Sequence, residues 1–290
     1  MENIKITDVR EKAGDASFLI DNGKTALLYD SGFAFTGYAV AEKIRKILGY
    51  RTLDYIFLTH SHYDHALGSV YVKKQYPKAK IVASEYTAKI FSKPSARAVM
   101  REMDRKYAKR CGVYDYEDLC DELSVDIPVC DGDIIKAGDM EFEVLSLPGH
   151  TKCSTGFYCR DKKLLLACET LGVFDGVDNV VPSFLVGFDM TIRSIERVLY
   201  LDIESVVVPH YGLIYGETAK LYLQKSLETT RSMTEEFVNL MKYGKSNGEI
   251  LELFKKKFYH GWVVDAYPVD AMELNVGIMT ELLRKEFNIG

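Results

Sequence analysis

Several features that would narrow the field at once are missing from this 290-residue chain. It has no CxxC pair. Its six cysteines, Cys111, Cys120, Cys130, Cys153, Cys159 and Cys168, are scattered, a pattern that fits reduced thiols and no disulfide framework. No apolar run approaches the length that spans a bilayer, so no membrane partner is expected. The opening Met1-Glu2-Asn3-Ile4-Lys5 has no basic stretch leading into an apolar one, so no signal peptide is read and a cytoplasmic location is expected. Basic charge does not dominate: 37 Lys and Arg stand against 42 Asp and Glu, for a net charge of −5. That balance argues against nucleic acid as a partner, because binding its backbone usually needs a dominant basic face. There is no short-period repeat and no low-complexity segment.

What is present is an ordinary globular composition, 47% hydrophobic and 27% charged, at a length that buries a sizeable core. Ser17-Phe18-Leu19-Ile20 and Ala26-Leu27-Leu28-Tyr29 are strand-like, with hairpin chemistry at Asp21-Asn22-Gly23-Lys24 between them. Helical spacing runs from Tyr38 to Leu48. Leu53 to Leu58 reads as a buried strand ending at Thr59-His60, and Ile81 to Ser84 as another. Ala96 to Cys111 is spaced as a helix, and Asp115 to Asp126 as an acidic loop or short helix. Strands return at Phe142–Leu145, Gly156–Cys159 and Lys163–Ala167. A helix is expected at Thr191–Leu201, then a buried strand at Ser205–Val208. From Glu217 the pattern is helical, broken at Gly244–Gly248 and Gly261–Pro268. Hairpins mixed with helices point to an α+β fold, because a doubly wound parallel sheet has no need of them. The expected organisation is a domain over residues 1–216, with a helical insertion at about 90–126, and a C-terminal helical cap over residues 217–290.

The strongest local feature is Thr59-His60-Ser61-His62-Tyr63-Asp64-His65, with four metal-capable side chains directly after a buried strand. Imidazole and carboxylate are ligands that first-row divalent ions accept. In extended chain alternate positions point to one side, so His60 and His62 aim together, and the following turn aims Asp64 and His65 at a second point. His150 in Pro148-Gly149-His150-Thr151, Glu169 after Leu164–Cys168, and His210 in Val208-Pro209-His210 also lie at strand ends. Only His260, among six histidines, falls outside such a position. Structural zinc sites are closed and cysteine-rich, whereas this set is histidine and carboxylate.

The combination of His60-x-His62-x-Asp64-His65, Gly149-His150-Thr151, the strand-end acid Glu169 and Pro209-His210 resembles the metallo-β-lactamase superfamily. The likeness covers roughly Asn3 to Gly216, and Asp30 in Tyr29-Asp30-Ser31-Gly32 fits the family's early strand-end aspartate. The resemblance implies a four-layer αββα sandwich, here with a C-terminal helical extension. It implies two divalent metal ions, zinc first with iron or manganese as alternatives. His60, His62 and His150 would hold one, Asp64, His65 and His210 the other, and Glu169 would bridge. Asp64 would also orient the attacking water and carry its proton. The chain departs from the pattern at Cys168-Glu169, where the family usually has Gly-Asp.

Other residues carry weaker expectations. The Arg97, Arg101, Arg105 and Lys109 series reads as a solvated helix face, with Arg101 kept as an anionic-substrate contact. Phe174 and Phe184, and Tyr211 after His210, are candidate substrate contacts against a default of core packing. His260, with Trp262 and Tyr267, is a candidate cap over the site. Hydrolysis of a small ester or thioester by water activated on the metals fits best, in a layout similar to glyoxalase II and the quinolone-signal-response thioesterases. A phosphodiesterase acting on a phosphorylcholine-type ester, or a metal-binding regulatory protein with little turnover, is the alternative. The expected partner is a small-molecule substrate, with a homodimer left open.

Overall fold

Parallel neighbours in a sheet need a crossover, usually helical, whereas antiparallel neighbours need only a turn; the first half of this chain uses both. The computed structural model describes residues 4–289. They fall into two units: the described residues up to Ser146 with Thr155–Lys162, and Leu147–Ser154 with the described residues from Lys163 onward.

In the first unit, β1 (Lys5–Asp8), β2 (Phe18–Asp21) and β3 (Ala26–Tyr29) pair antiparallel. The β2–β3 turn is the hairpin expected at Asp21–Lys24, with Gly23 at φ +87° supplying the left-handed residue. Helix α1 (Gly37–Leu48) then crosses over to β4 (Tyr55–Phe57), which runs parallel to β3. Two helices, α2 (Tyr63–Ala66) and α3 (Gly68–Gln75), lead to β5 (Lys80–Ser84). Two more, α4 (Glu85–Phe91) and α5 (Pro94–Arg110), precede β6 (Ile127–Val129), and both new strands continue the parallel run. Val40, Ile44 and Leu48 from α1 and Val70 and Tyr71 from α3 pack with Leu28, Ile56 and Ile81 of the sheet in one buried core. An antiparallel meander, β7 (Ile134–Ala137), β8 (Met140–Ser146) and β9 (Thr155–Cys159), completes the unit. It meets β4 through Phe57, whose ring lies 5.3 Å from that of Phe142 and 4.7 Å from that of Phe157.

The second unit is built on β10 (Leu164–Leu166) and on a short ribbon of β11 (Val173–Phe174) and β12 (Val180–Val181). Helix α6 (Phe188–Leu199) leads to β13 (Ser205–Val208), which runs parallel to β10 and antiparallel to β14 (Gly212–Tyr215). Four helices follow: α7 (Glu217–Lys242), α8 (Asn247–Phe258), α9 (Val263–Ala266) and α10 (Val269–Glu286). Ser246 and Glu249 form a capping box that starts α8, where the pattern breaks at Gly244–Gly248. Phe237, Phe254, Phe258, Val276 and Leu283 form the helical core, and Phe184 enters it from the loop before α6. The C-terminal helices therefore share a unit with β10 to β14. Among the described residues no helix is long and apolar enough to cross a membrane.

One local expectation needs correction. The strand expected to run to Cys168 ends at Leu166, and Glu169 begins a 3-10 turn, Glu169–Leu171. The sequence reading assigns no element to the stretch before β5, which is helical at Gly68–Gln75 despite its Val-Tyr-Val run. Val70, Tyr71 and Val72 are all buried, so packing overrides the β preference of these residue types.

Candidate metal centre

The first unit supplies four of the expected ligands from one loop and one helical turn. The chain leaves β4 through Leu58, Thr59 and His60, then enters α2 with His62 still extended at its N-cap. The ring of His60 lies 4.6 Å from that of His62 and 4.1 Å from that of His65. His60 and His65 are fully buried, and Asp64 keeps 18% of its side chain exposed, with Oδ2 at 3.7 Å from His65 Nε2.

Asp30 organises this loop. It follows β3 in a left-handed conformation, φ +48°, with its amide donating to Phe57 O at 2.8 Å. Its Oδ1 accepts from Thr59 N at 2.8 Å; its Oδ2 accepts from Thr59 Oγ1 at 2.9 Å and from His65 Nδ1 at 2.8 Å. A carboxylate only accepts, so the His65 proton sits on Nδ1 and the lone pair on Nε2. The single Thr59 hydroxyl proton is spent on Asp30, so the 2.9 Å contact between Thr59 Oγ1 and His60 Nδ1 has the imidazole donating. His60 thereby also carries its lone pair on Nε2. Ser31 secures the far side of the turn, its amide and hydroxyl both donating to His65 O, at 2.7 and 2.8 Å.

The second unit supplies the other three. His150 follows Gly149, which at φ +155° takes a conformation that favours glycine. Gly149 O accepts from the amides of Leu185 and Val186, and His150 N donates to Thr170 Oγ1 at 3.1 Å. His150 Nδ1 lies 2.8 Å from Ser183 Oγ and 3.2 Å from Ser183 O. A carbonyl only accepts, so Nδ1 carries the proton and Nε2 the lone pair. That lone pair faces Glu169 Oε2 at 2.8 Å, two electron-rich atoms in a buried place, an arrangement that a shared proton or a cation satisfies. The other Glu169 oxygen, Oε1, lies 3.4 Å from His210 Nε2 and accepts from Tyr267 Oη at 2.5 Å. His210 lies two residues past β13 in a left-handed conformation, φ +62°, with its ring 5.1 Å from that of Tyr267. Within each unit the ligand atoms are close: those of His60 and His62, of Asp64 and His65, and of His150 and Glu169 lie within 4.8 Å of one another. These His, Asp and Glu clusters are compatible with divalent metal binding.

The weaker candidates are placed as follows. Tyr211 is half-buried, its ring 4.9 Å from that of Phe174 and 5.5 Å from that of Trp262. Phe174 is buried between Tyr211 and Tyr222, and Phe184 lies in the helical core with its ring 5.7 Å from that of Phe188. Arg101 is held by Asp118 and Asp121, each at 2.7 Å. His260 is exposed, with Nε2 3.0 Å from Lys257 O. The sequence pattern does not single out Thr59, Ser183 or the bond from Tyr267 to Glu169. Thr59 adjoins His60, but Ser183 and Tyr267 lie 33 and 98 residues from the ligands they meet, with no local pattern to mark them.

The metallo-beta-lactamase superfamily model matches residues 14–210, which include all seven expected ligands. The chain belongs to this superfamily. Its α+β fold is the metallo-β-lactamase type expected from the motifs. Among curated relatives, hydroxyacylglutathione hydrolase GloC of Haemophilus influenzae is 27% identical over 215 residues, 72% of this chain and 91% of that protein. The hydroxyacylglutathione hydrolase of Nitrobacter winogradskyi is 41% identical over 71 residues, 24% of this chain, so the match spans only 27% of that relative's length. Among solved structures, a metallo-beta-lactamase family protein of Thermus thermophilus has a TM-score of 0.63 at 19% identity, covering 94% of this chain and 89% of its own, a likeness of fold. Superfamily membership and the histidine and carboxylate clusters together support a metal-dependent hydrolase.

Proposed function

We propose that the chain hydrolyses a small carboxylic ester or thioester, thioester first, at a centre of two divalent ions with zinc as the leading metal. In this reading His60, His62 and His150 form one ligand set, Asp64, His65 and His210 the other, and Glu169 is shared. The observation that carries it is the split Glu169 carboxylate, one oxygen at His150 Nε2 and the other toward His210 Nε2. The extra methylene of glutamate is thus compatible with the bridging position that aspartate usually fills. The thioester preference is supported by the relative in Haemophilus influenzae, whose name denotes hydrolysis of hydroxyacylglutathione, and which this chain matches over most of both lengths. The arginine kept for an anionic substrate is already paired with two carboxylates, which weighs against the phosphodiester alternative.

Bound divalent ions would supply the charge that lowers the pKa of water and polarises the acyl oxygen. The chain's own groups do the rest. Asp30 and Thr59 fix the His65 and His60 tautomers so that Nε2 is the donor atom in each. Ser183 does the same for His150. Asp64, partly open to solvent, accepts a proton from the attacking water at a carboxylate oxygen and delivers it to the leaving thiolate as the acyl carbon–sulfur bond breaks.

The test is metal analysis of protein purified without added metal, followed by chelation, reloading with zinc, manganese or ferrous iron, and thiol-release assays on S-acyl-glutathiones. Bis-nitrophenyl phosphate is the control. Thiol release that disappears on chelation and returns with metal is expected. Turnover of the phosphodiester alone would replace this reading with the phosphodiesterase one. Fully metallated protein inert on every substrate would favour a ligand-binding role.

A further inference from the structure

The last strand of a sheet presents amides and carbonyls with no strand beyond them, and proteins commonly blunt such edges with lysine, other charges or proline. In the first unit β1, β6 and β7 lie at sheet ends, and in the second unit β14 does. β1 carries Lys5 and Asp8, β6 carries Pro128 and β7 carries Lys136. β14 is Gly212-Leu213-Ile214-Tyr215, with neither a charge nor a proline. Glycine sets both of its ends: Gly212 at φ +112° closes the turn from His210, and Gly216 at φ +59° turns the chain into α7.

The direction of the β14 backbone groups follows from its neighbours. In an antiparallel ladder the amide and carbonyl of one residue point to the same side, and successive residues alternate. Gly216 N donates to Glu204 O at 2.8 Å, so Gly212, Ile214 and Gly216 face β13. β13 agrees: Ser205 N donates to Lys163 O and Val207 O accepts from Ala167 N, which leaves Val206 and Val208 to face β14. Leu213 and Tyr215 therefore turn their amides and carbonyls outward, and among the described residues no loop, helix or side chain supplies them a partner. The side chains of the same two residues share one face and stay 41% and 69% exposed, while Gly212 and Ile214 are buried on the other.

We propose that β14 pairs antiparallel with β14 of a second copy of this chain, about a two-fold axis at Ile214. Such a contact needs a surface complementary to itself. Centred on Ile214, the pairing sets Leu213 opposite the partner's Tyr215 and Tyr215 opposite the partner's Leu213. These are the residues whose backbone groups point outward, so each amide meets the carbonyl opposite it. Their side chains lie on one face, so each pair covers apolar surface that the single chain leaves in water. Glu217, the first charge after the strand, falls opposite the partner's Tyr211 in this register and meets no like charge. One short strand from each copy makes a small interface, so the dimer is a weak one that forms as concentration rises. The pairing does not depend on the hydrolase reading.

The experiment follows the full-length protein by sedimentation equilibrium from low micromolar to near-millimolar concentration, with hydrogen exchange read at the two outward amides over the same range. A monomer–dimer equilibrium is expected, with protection at Leu213 and Tyr215 rising as the dimer forms. The register is tested by charge. Leu213→Lys combined with Tyr215→Lys sets lysine opposite lysine in both pairs and should weaken dimerisation by about tenfold or more. Leu213→Lys combined with Tyr215→Glu sets lysine opposite glutamate and should bring dimerisation back toward the parent. Both variants alter exposed side chains only, and circular dichroism checks each fold. A monomer at every concentration, with both amides exchanging freely, would overturn the pairing and leave the edge open to a foreign strand. A dimer that survives the double-lysine variant, or that the lysine–glutamate variant weakens equally, would place the contact elsewhere and overturn it too.

Discussion

Tyr267 and Glu169 are 98 residues apart in the chain, yet the phenol hydroxyl donates to Glu169 Oε1 at 2.5 Å. The contact joins the segment between α9 and α10 to the acid that departs from the family pattern. A glutamate has one more rotatable bond than an aspartate, and a donor held by Pro268 and Tyr259 restricts where its carboxylate points.

Tyr267→Phe removes that donor and little else. Bonds to charged groups are worth about 1.5–3 kcal/mol, and outer partners of metal ligands typically account for 10- to 100-fold in metal affinity. Competition with a chelator of known affinity should show metal held about tenfold more weakly in the variant, with the fold intact by circular dichroism. Equal affinity in the two proteins would reduce the tyrosine to a packing residue.

Asp30 meets three groups of the histidine loop: the Thr59 amide, the Thr59 hydroxyl and His65 Nδ1. Asp30→Asn keeps one accepting oxygen but sets an amide nitrogen, a donor, near groups that must donate. At least one buried donor then loses its acceptor, at a cost of about 1–3 kcal/mol. Urea unfolding should register that loss, and metal affinity should fall by about 10- to 100-fold as His65 loses its fixed tautomer. A stability loss with undiminished metal affinity would separate the loop's fold from its ligand role.

The expected ligands were legible because strands end where they do. A buried run such as Leu53–Leu58 announces a strand, and a histidine at its end has a direction. His60, His62, His150 and His210 were read as ligands on that basis, and the hairpin at Gly23 from its turn residues. The helix α3 was not, because Val70-Tyr71-Val72 favours a strand locally and becomes helical through burial against α1 and the sheet. The strand expected to reach Cys168 also misplaced the setting of Glu169: the chain has left the strand by then, so a turn and two histidines orient the carboxylate.

Gly149 is a second place where a small change should reach the site. A Cβ there would stand 2.2 Å from Thr191 Oγ1, 2.7 Å from Thr170 Cγ2 and 2.9 Å from the Thr191 Cα, and the φ of +155° is itself unfavourable for other residues. Gly149→Ala must therefore push its loop off α6, at about 1–3 kcal/mol for overpacking. Thr170 Oγ1 accepts from the His150 amide, so the displacement passes to that ligand. A lowered melting temperature with weakened metal binding is expected. A variant as stable as the parent would mean that the loop has slack its contacts do not suggest.

Asp104, on α5, gives the fold a pH dependence with a definite sign. The residue is fully buried; Oδ1 accepts from the Ala34 amide at 2.9 Å and Oδ2 from the Tyr116 hydroxyl. Burial pushes its carboxyl up to about 7 in spite of those bonds, and the carboxylates of Asp15 and Asp64 push the same way. Below about pH 4 the group is protonated in both the folded and the unfolded chain and contributes no slope. Between about pH 4 and 7 the unfolded chain gives up the proton while the folded one keeps it, so stability declines as pH rises. Above 7 both forms are ionised and the decline stops. The window is about three pH units, so the total is on the order of 4 kcal/mol. Asp104→Asn cannot ionise, yet its amide still accepts from Ala34. Unfolding in urea at pH 5 and pH 8 should show the variant losing less stability than the parent across that interval. Parallel losses in the two proteins would show that Asp104 is already ionised at pH 5 and that its surroundings solvate the charge.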